Sequence, residues 1–348
     1  MQVAAISREE LDAWPIAEAG LPVRVVNAVR EVPVSTVGQL RQLPDPDLLK
    51  LRSLGRISLG HIHAFFRICG QIEQGRQRFG TVQEVFALCL DDAERNVLAG
   101  RYGLDRDPEK PSRRRMTLQQ IADAGHITRE RVRQIQDAGL RKLQSRIAQV
   151  CLQPFYDYAC GQVEKRGGLA GGAELLGLRS EPAMGGLNPL GLMRLLSEVR
   201  SARLVHYNGF FSTFSLDFLQ ALESRLTAIL SQAGQPLSLD ELMKRAGTET
   251  LASLREPAAA IECLLDHAPA VASTTDRRFF LYRNGAGPYV VEVLGRLDRP
   301  AHYRKITSTF NESLKPAKRK GAGYVLELLI ATPRCTRVDR GIYDLKAE

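Results

Sequence analysis

The side chains with the most evident chemistry lie in one short, polar stretch near the middle of the chain. Arginine can donate two hydrogen bonds to guanine, glutamine can pair with adenine, and glutamate can accept from the cytosine amino group. All three residue types occur between positions 129 and 134, as Arg129, Glu130, Arg131, Arg133 and Gln134. This combination suits a surface that reads base edges in duplex DNA.

Two short helices joined by a tight turn are needed to present these side chains, and the flanking sequence predicts them. Thr117 and Gln120 have the spacing of a capping box, and Gly125 stands where the first helix must end. Thr128 is placed to cap the second helix. The apolar positions of that helix recur at helical spacing: Val132, Ile135, Leu140 and Leu143. The pattern predicts a helix-turn-helix, although a helical hairpin with a solvated charged face fits the spacing equally well.

Residues 90–143 resemble region 4 of the bacterial sigma-70 family. The resemblance rests on segments in a fixed order, at 92–98, 101–104, 117–122, 127–135 and 140–143. It implies that the second helix reads an upstream promoter element through the residues at 129–134. The linker 105–116 is longer than usual in the family, so we expect an exposed loop in which Arg113, Arg114 and Arg115 contact phosphate.

The N-terminal residues 14–75 predict a compact helical domain. Pro22 begins one helix, Thr36 caps another, and a glycine turn leads into the helix after Leu54. Such a helix-hairpin-helix offers backbone N–H groups to phosphate. The order of these pieces resembles the C-terminal domain of the bacterial RNA polymerase alpha subunit. The resemblance implies DNA contacts at Arg24, Asn27, Gly55, Arg56 and Ser58.

One position of this N-terminal domain departs from the pattern of the alpha-subunit family. Ile57 stands where the family carries a second basic residue, which weakens the expected phosphate contact there. A helical domain that makes only protein contacts is therefore the alternative interpretation of residues 1–79.

Residues 155–348 alternate helices with short aromatic strands in a pattern that occurs three times. The first repeat has strands at 202–207 and 210–214 around Asn208-Gly209, which is a strong hairpin signal. The second has a predicted strand at 278–282, and the third a predicted hairpin at 336–345. Helices followed by a two-stranded hairpin predict winged helices, at 153–217, 218–288 and 289–348.

The third of these units, 289–348, resembles the HARE-type winged helix. It carries a basic run at 315–320, in which we predict DNA contacts by Lys318, Arg319 and Lys320, with a solvated loop as the alternative. The first two units carry little basic charge, and we expect them to contact protein.

Positive charge is concentrated in two segments of the chain. The 348 residues carry a formal net charge of +9. Residues 113–146 hold nine Lys/Arg against three Asp/Glu, and residues 296–340 hold eleven against four. Such concentrations indicate a polyanion binder, or equally a surface that meets an acidic protein.

No familiar catalytic or metal-binding pattern occurs in the sequence. The six histidines form no His-Glu-x-x-His helix, and the glycine-rich segment 167–172 lacks the Gly-Lys-Ser/Thr of a phosphate loop. The six cysteines form no Cys-x-x-Cys, which indicates reduced, buried thiols. Neither a signal peptide nor a run of about 18 apolar residues is present. We predict a cytoplasmic protein that is not an enzyme and needs no metal or cofactor.

These observations predict a mainly α, multi-domain protein. A helix-hairpin-helix domain at 1–79 precedes a helix-turn-helix domain at 80–152, and tandem winged helices with short β-hairpins follow. We expect sequence-dependent binding of double-stranded DNA in transcription regulation, with RNA polymerase or an effector subunit as a further partner. Because no segment resembles the aromatic, basic helix with which complete sigma factors melt promoters, an accessory factor is favoured.

Two other functions fit the same sequence. The protein can be the DNA-recognition or adaptor subunit of a defence or restriction assembly, in which the winged helices hold an effector. Alternatively, its domains serve purely for protein contacts with RNA polymerase.

Overall fold

The computed structural model describes residues 1–105, 115–200 and 203–346, and within these ranges the chain is mostly helical with three small antiparallel sheets. Its residues fall into two compact units. The first unit comprises Met1–Gln162 and Gly172–Leu204, and the second comprises Val163–Gly171 and Val205–Glu348. No helix in the described ranges is both long enough and apolar enough to cross a membrane.

The first unit begins with short helices that lead into one long helix. They are α1 (Arg8–Asp12), α2 (Ile16–Ala19), α3 (Val23–Val29), α4 (Val37–Gln42), α5 (Asp45–Leu48) and α6 (Arg56–Glu73). The predicted cap of α4 forms, because the hydroxyl of Thr36 accepts from the backbone of Gln39 and the Gln39 side chain returns the bond. Gly55 precedes the first residue of α6, so the glycine turn of the predicted helix-hairpin-helix is present.

The predicted helix-turn-helix follows in the same unit. Its elements are α7 (Val82–Cys89), α8 (Asp92–Tyr102), α9 (Leu118–Gly125) and α10 (Arg129–Leu143). The capping box of Thr117 and Gln120 forms, and the Thr128 hydroxyl accepts from the backbone N–H of Arg131. The left-handed residue of the turn is His126, with φ 50°, rather than Gly125. Asn, Asp and His tolerate this conformation better than most side chains.

Helix α10 ends at Leu143, and after residues 144–145 a separate helix, α11 (Arg146–Glu164), begins. The apolar spacing favours a continuation of α10 towards Pro154, whereas Pro154 lies inside the separate helix α11. The predicted domain boundary after residue 152 therefore falls within a helix. The first unit is completed by α12 (Gly172–Leu175) and α13 (Pro189–Val199).

Helix α13 is held against the end of α8. The backbone N–H of Asn188 donates to the carbonyl of Leu104 at 2.6 Å, and its side-chain amide donates to the carbonyl of Gly103 at 3.1 Å. Gly191 lies so close that an added Cβ would be 2.5 Å from the carbonyl oxygen of Tyr102. Only a glycine at this position permits the two helices to approach so closely.

The second unit contains three small sheets built to one plan. The strands of the first are β1 (Leu169–Ala170), β2 (Val205–Tyr207) and β3 (Phe210–Ser212), in the order β1-β3-β2. The predicted turn is present, with positive φ angles at Asn208 (46°) and Gly209 (96°), as a two-residue hairpin requires. Strand β1 was not predicted, because two residues are too few to show an alternating pattern.

The next two repeats have the same order of elements. One consists of α14 (Leu216–Ala233), β4 (Leu237–Ser238), α15 (Leu239–Ala246), α16 (Thr248–Leu251), α17 (Pro257–His267), β5 (Val271–Ser273) and β6 (Arg278–Leu281). The other consists of α18 (Ala286–Leu297), β7 (Ala301–His302), α19 (Tyr303–Glu312), α20 (Ala322–Ala331), β8 (Cys335–Asp339) and β9 (Ile342–Leu345). Their sheets run β4-β6-β5 and β7-β9-β8.

The second and third repeats thus each have a first helix, a short strand, further helices and a hairpin, and in all three sheets the last strand of the hairpin lies in the middle. The mainly α, multi-domain architecture with winged-helix repeats is confirmed. The predicted boundaries after residues 217 and 288 fall inside α14 and α18, since each repeat begins with its own long helix.

The close approach of Gly191 to Tyr102 gives a test of this packing. In Gly191→Ala the new Cβ must displace backbone, so we expect the free energy of unfolding of the first unit to fall by about 1–3 kcal/mol. Trp14 is the chain's single tryptophan and is buried in this unit, so its fluorescence reports the unfolding in a urea titration.

Gly161→Ala is the matched control for this substitution. An added Cβ at Gly161 in α11 meets nothing within 4 Å, so alanine should keep or raise the stability through its better helix propensity. Equal stability of the Gly191→Ala variant and the parent would show that α13 does not pack on α8 in this way.

Candidate nucleic-acid interface

The polar residues predicted to read DNA share one exposed surface on the first half of α10. Arg129, Glu130, Arg131, Arg133 and Gln134 are all exposed, and we call them the reader surface. The buried Val132 packs with Val97 and Ala122 in the core of the helix-turn-helix. The sequence therefore turns its apolar positions inward and leaves the hydrogen-bonding groups facing outward.

An ion-pair network organises part of the reader surface. Arg133 donates to both carboxylate oxygens of Glu130, at 2.9 and 2.7 Å, and to Asp137 at 2.7 Å. The hydrogen bond from Arg133 holds the pKa of the Glu130 carboxyl below its usual range. The Glu130 carboxylate is therefore ionised, and three of the five N–H donors of Arg133 are already committed to carboxylates.

Two other arginines of the reader surface are less engaged. Within the described residues, no hydrogen bond or ion pair is made by the Arg129 side chain. Arg131 donates one long bond of 3.5 Å to the side-chain oxygen of Gln134. Arg129 is therefore the cation of this surface that can donate to DNA without breaking an intramolecular contact.

The other half of α10 is anchored by a buried carboxylate. Glu94 is only 4% exposed, and its carboxylate accepts from Lys142 at 2.7 Å. Lys142 also lies 3.5 Å from Asp91. The pKa of Asp91 is lowered, first by its hydrogen bond from the Glu94 backbone and then by Lys142. Since Asp91 and Glu94 form the cap of α8, this cluster joins the start of α8 to the end of α10.

A second contact joins α10 to the chain before α9. Arg101 donates to the side-chain oxygen of Gln136 at 2.8 Å and to the carbonyl of Met116 at 2.8 Å. Arg101 lies in the predicted sigma-like segment, but no sequence pattern assigned a role to it or to Lys142. Their partners are 35 and 48 residues away along the sequence, beyond the reach of helical spacing.

The helix-hairpin-helix presents most, but not all, of its predicted contact residues. Arg24, Asn27, Gly55 and Arg56 are exposed, and Arg24 donates to the carbonyl of Ser53 at 2.9 Å, beside the turn into α6. Ser58 is only 5% exposed, so its hydroxyl is not presented to solvent, and its predicted contact with DNA stays a prediction. It lies one turn before the buried Ile62, on the face of α6 that packs inward.

The basic run at 315–320 is largely committed to contacts within the second unit. Lys318 is 7% exposed, and its amine donates to the carbonyl of Ala268 at 2.6 Å. The amine of Lys320 lies 3.8 Å from the ring centre of Tyr282, and that of Lys315 pairs with Glu262 and Asp266.

The amine of Lys318 is thus buried against the end of α17, and its predicted contact with DNA stays a prediction. Arg319 is exposed and its predicted contact with DNA stays open. Lys320 is half-buried. Arg115 is exposed, whereas Arg113 and Arg114 lie outside the described residues.

The helices that precede the hairpins of the winged repeats are poor in positive charge. Helices α17 and α20 contain no lysine or arginine. Exposed basic side chains of the third repeat include Arg296 on α18, Arg304 and Lys305 on α19, and Arg337 and Arg340 on the hairpin. The charge of residues 296–340 is thus not displayed on the helix that would enter a major groove.

Burial makes two of the thiols poor nucleophiles. It raises the pKa of both Cys69 and Cys89 to about 12, which disfavours the nucleophilic thiolate. Among the described residues, no three His, Cys, Asp or Glu side chains are grouped closely enough to hold a metal ion.

Comparison with known families supports two of the modules. Residues 88–145 match the family described as Sigma-70, region 4, and residues 5–66 match the C-terminal domain of the bacterial RNA polymerase alpha chain. Neither match extends beyond residue 145, and the HARE-type resemblance of the third repeat stays a prediction. No curated protein and no solved structure matches the protein.

Both resemblances noted in the first unit are thereby confirmed, and they define a DNA-binding, transcription-related class of protein. More particularly, its first unit joins a segment similar to sigma-70 region 4 to a segment similar to the C-terminal domain of the polymerase alpha subunit.

The reader surface is tested by removing its uncommitted cation. We expect Arg129→Ala, and likewise Gln134→Ala, to weaken binding to the preferred site by about 1–3 kcal/mol and to relax the base preference there. Fluorescence anisotropy titrations against duplexes with single base-pair changes measure both effects. Arg76→Ala, at an exposed arginine outside α10, is the control. Variants that discriminate among the duplexes as the parent does would refute base reading by this helix.

The burial of Lys318 predicts a specific pH dependence. Burial lowers the pKa of Lys318 from 10.5 to about 8. Between these values the folded protein has released the proton that the unfolded protein still binds, so this residue makes stability rise with pH. Below about pH 8 both states are protonated, and the cost of the buried charge is fully present.

Lys318→Met removes this titration. We expect the melting temperature of the parent to gain on that of the variant as the pH rises from about 8 to about 10, measured by calorimetry. Lys305→Met, at an exposed lysine, should keep a constant difference from the parent. A constant difference for Lys318→Met as well would place its amine in solvent.

Proposed function

We propose that the protein binds duplex DNA in a sequence-dependent way and regulates transcription at the sites it occupies, as an accessory factor. The observation that carries this proposal is the reader surface. Five hydrogen-bonding side chains stand exposed on a capped helix, within a segment similar to sigma-70 region 4. The ion pair between the buried Glu94 and the partly exposed Lys142 joins the opposite end of that helix to α8.

In this proposal, affinity and specificity come from different residues. Cations of the first unit hold phosphates, which fixes the register of the protein on DNA, while residues 129–134 discriminate among base pairs. Arg129 makes the first base contact, since its guanidinium has no intramolecular partner within the described residues. Arg133 exchanges Glu130 or Asp137 for a DNA acceptor.

The alpha-like module contributes phosphate contacts next to this reader. Support comes from its tight packing on the sigma-like module, where an added Cβ at Gly20 would lie 2.5 Å from Ile147. Arg146 also pairs with Glu18 at 3.0 Å. Because the two modules are packed together, a duplex bound by one lies close to the other.

Arg56→Ala tests the contribution of this module. Arg56 is the first residue of α6 and is exposed, so its loss should weaken binding to all sequences and reduce the salt slope by about 1. Dissociation constants at several salt concentrations, for a preferred and a scrambled duplex, measure both effects.

The control for Arg56→Ala is Arg67→Ala, an exposed arginine farther along the same helix, which should keep the parent slope. If Arg56→Ala also keeps that slope, the module contacts protein rather than phosphate.

We propose further that the protein acts by binding alone, without a catalytic step, and that the winged repeats of the second unit contact a protein partner. The absence of lysine and arginine from α17 and α20 supports protein contact there. RNA polymerase is the partner we favour, since both matched families belong to its transcription machinery.

Genome-wide mapping of bound DNA in the native host, for the parent and for Arg129→Ala, tests the proposed function. We expect a shared sequence motif upstream of transcription starts, with occupancy lost in the variant. Bound sites without a common motif would reject sequence-dependent binding. A shared motif located away from promoters would retain the DNA reader and reject the role in transcription.

A further inference from the structure

A groove of about 760 Å³ opens within the first unit, between the alpha-like and the sigma-like modules. One wall is formed by Trp14 and residues 17–23, and the other by the end of α10 and the start of α11. This volume lies within the range of about 300–1,000 Å³ that is typical of small-molecule sites.

The alpha-like wall of the groove is apolar. Trp14 and Leu21 are 3% and 7% exposed, so they belong to the packed wall. At the rim, Val23 is 71% exposed, which is unusual for a large aliphatic side chain next to a concave surface. An apolar occupant that covers Val23 would remove this surface from water.

The opposite wall is basic, and part of its charge is free to act on a ligand. Arg146 is paired with Glu18, and Lys142 with Glu94. Arg141 uses its Nε to donate to the carbonyl of Asp137, which leaves its terminal nitrogens without a described partner. Arg200 donates to the carbonyl of Gln149 and keeps its charge. Among the lining carboxylates, Glu10 alone lacks a described ion-pair partner, so positive charge prevails.

We propose that this groove binds a small amphipathic organic anion. Its apolar ring or tail lies against Trp14, Leu21 and Val23, and its acidic head group meets Arg141. Because such a ligand contacts both modules at once, it is placed to act as an effector of their joint action on DNA. The binding itself does not depend on the proposed function and can be measured without DNA.

Two probes with the same ring system separate charge from apolar burial. The anionic probe is 1-anilinonaphthalene-8-sulfonate, and the neutral probe is N-phenyl-1-naphthylamine. Energy transfer from Trp14 reports a probe bound in its vicinity, because Trp14 is the only tryptophan and lines the groove, and the variants then locate the probe. We expect saturable transfer to both probes from the full-length protein, with the anion bound at least about threefold more tightly.

Three variants test the assignment, each checked for parent-like circular dichroism. Arg141→Gln should weaken the anionic probe about threefold and leave the neutral probe unchanged. Ala17→Phe places a ring into the groove from an exposed position on α2, and should weaken both probes. Arg67→Gln, at an exposed arginine that does not line the groove, should change neither.

Three results would overturn the proposal. One is the lack of saturable energy transfer from Trp14 to either probe. Another is equal affinity for the two probes, which would show that the basic wall does not contribute to binding. The third is a folded Ala17→Phe variant with parent affinity, which would place the bound probe elsewhere on the protein.

Discussion

The ion pair between Glu94 and Lys142 is the interaction on which the DNA-reading geometry depends. A carboxylate that is 4% exposed is stable in its charged form only if it is paired and hydrogen-bonded. Lys142 supplies that charge from the last turn of α10, and an added Cβ at Gly139 would lie 3.1 Å from Leu98. The two helices are thus fixed at one end by charge and close packing. The end of α10 that carries the reader surface is held in addition by Val132, which packs against Val97 and Ala122.

Local features of this architecture were predictable from sequence, whereas features set by distant partners were not. The caps at Thr36, Thr117 and Thr128 each depend on a residue three positions away, and all three form. The fate of Lys318 depends instead on carbonyls about 50 residues away. No run of sequence letters reveals that partner, so a buried lysine was mistaken for a surface one. The predicted domain boundaries after residues 152, 217 and 288 fall inside helices for a related reason. Composition does not reveal where a long helix begins.

The reader surface shows why residue type alone does not rank DNA contacts. Arg129, Arg131 and Arg133 are equivalent by sequence, yet Arg133 is shared between two carboxylates and Arg129 has no described partner. A cation in the first turn of a helix is also opposed by the helix dipole. Arg129 stands in that position and gains nothing from its own helix, which is the arrangement expected of a side chain retained for an external anion. Arg133, by contrast, is held in a defined position until a competing acceptor arrives.

The two basic segments of the protein also differ in how many of their cations are already paired within the protein. The arginines in the first half of α10 are exposed. They lie on the second helix of the helix-turn-helix, which is the helix that would enter a major groove of DNA. In the third repeat the lysines already have partners within the protein. Lys315 pairs with carboxylates, Lys318 donates to a backbone carbonyl, and Lys320 lies over an aromatic ring. Helix α20 carries only Glu327 among charged residues, so a duplex in contact with it would meet like charge. The formal charge of the third repeat therefore overstates the lysine charge that it can offer to DNA, and the sequence specificity that we propose rests on the first unit.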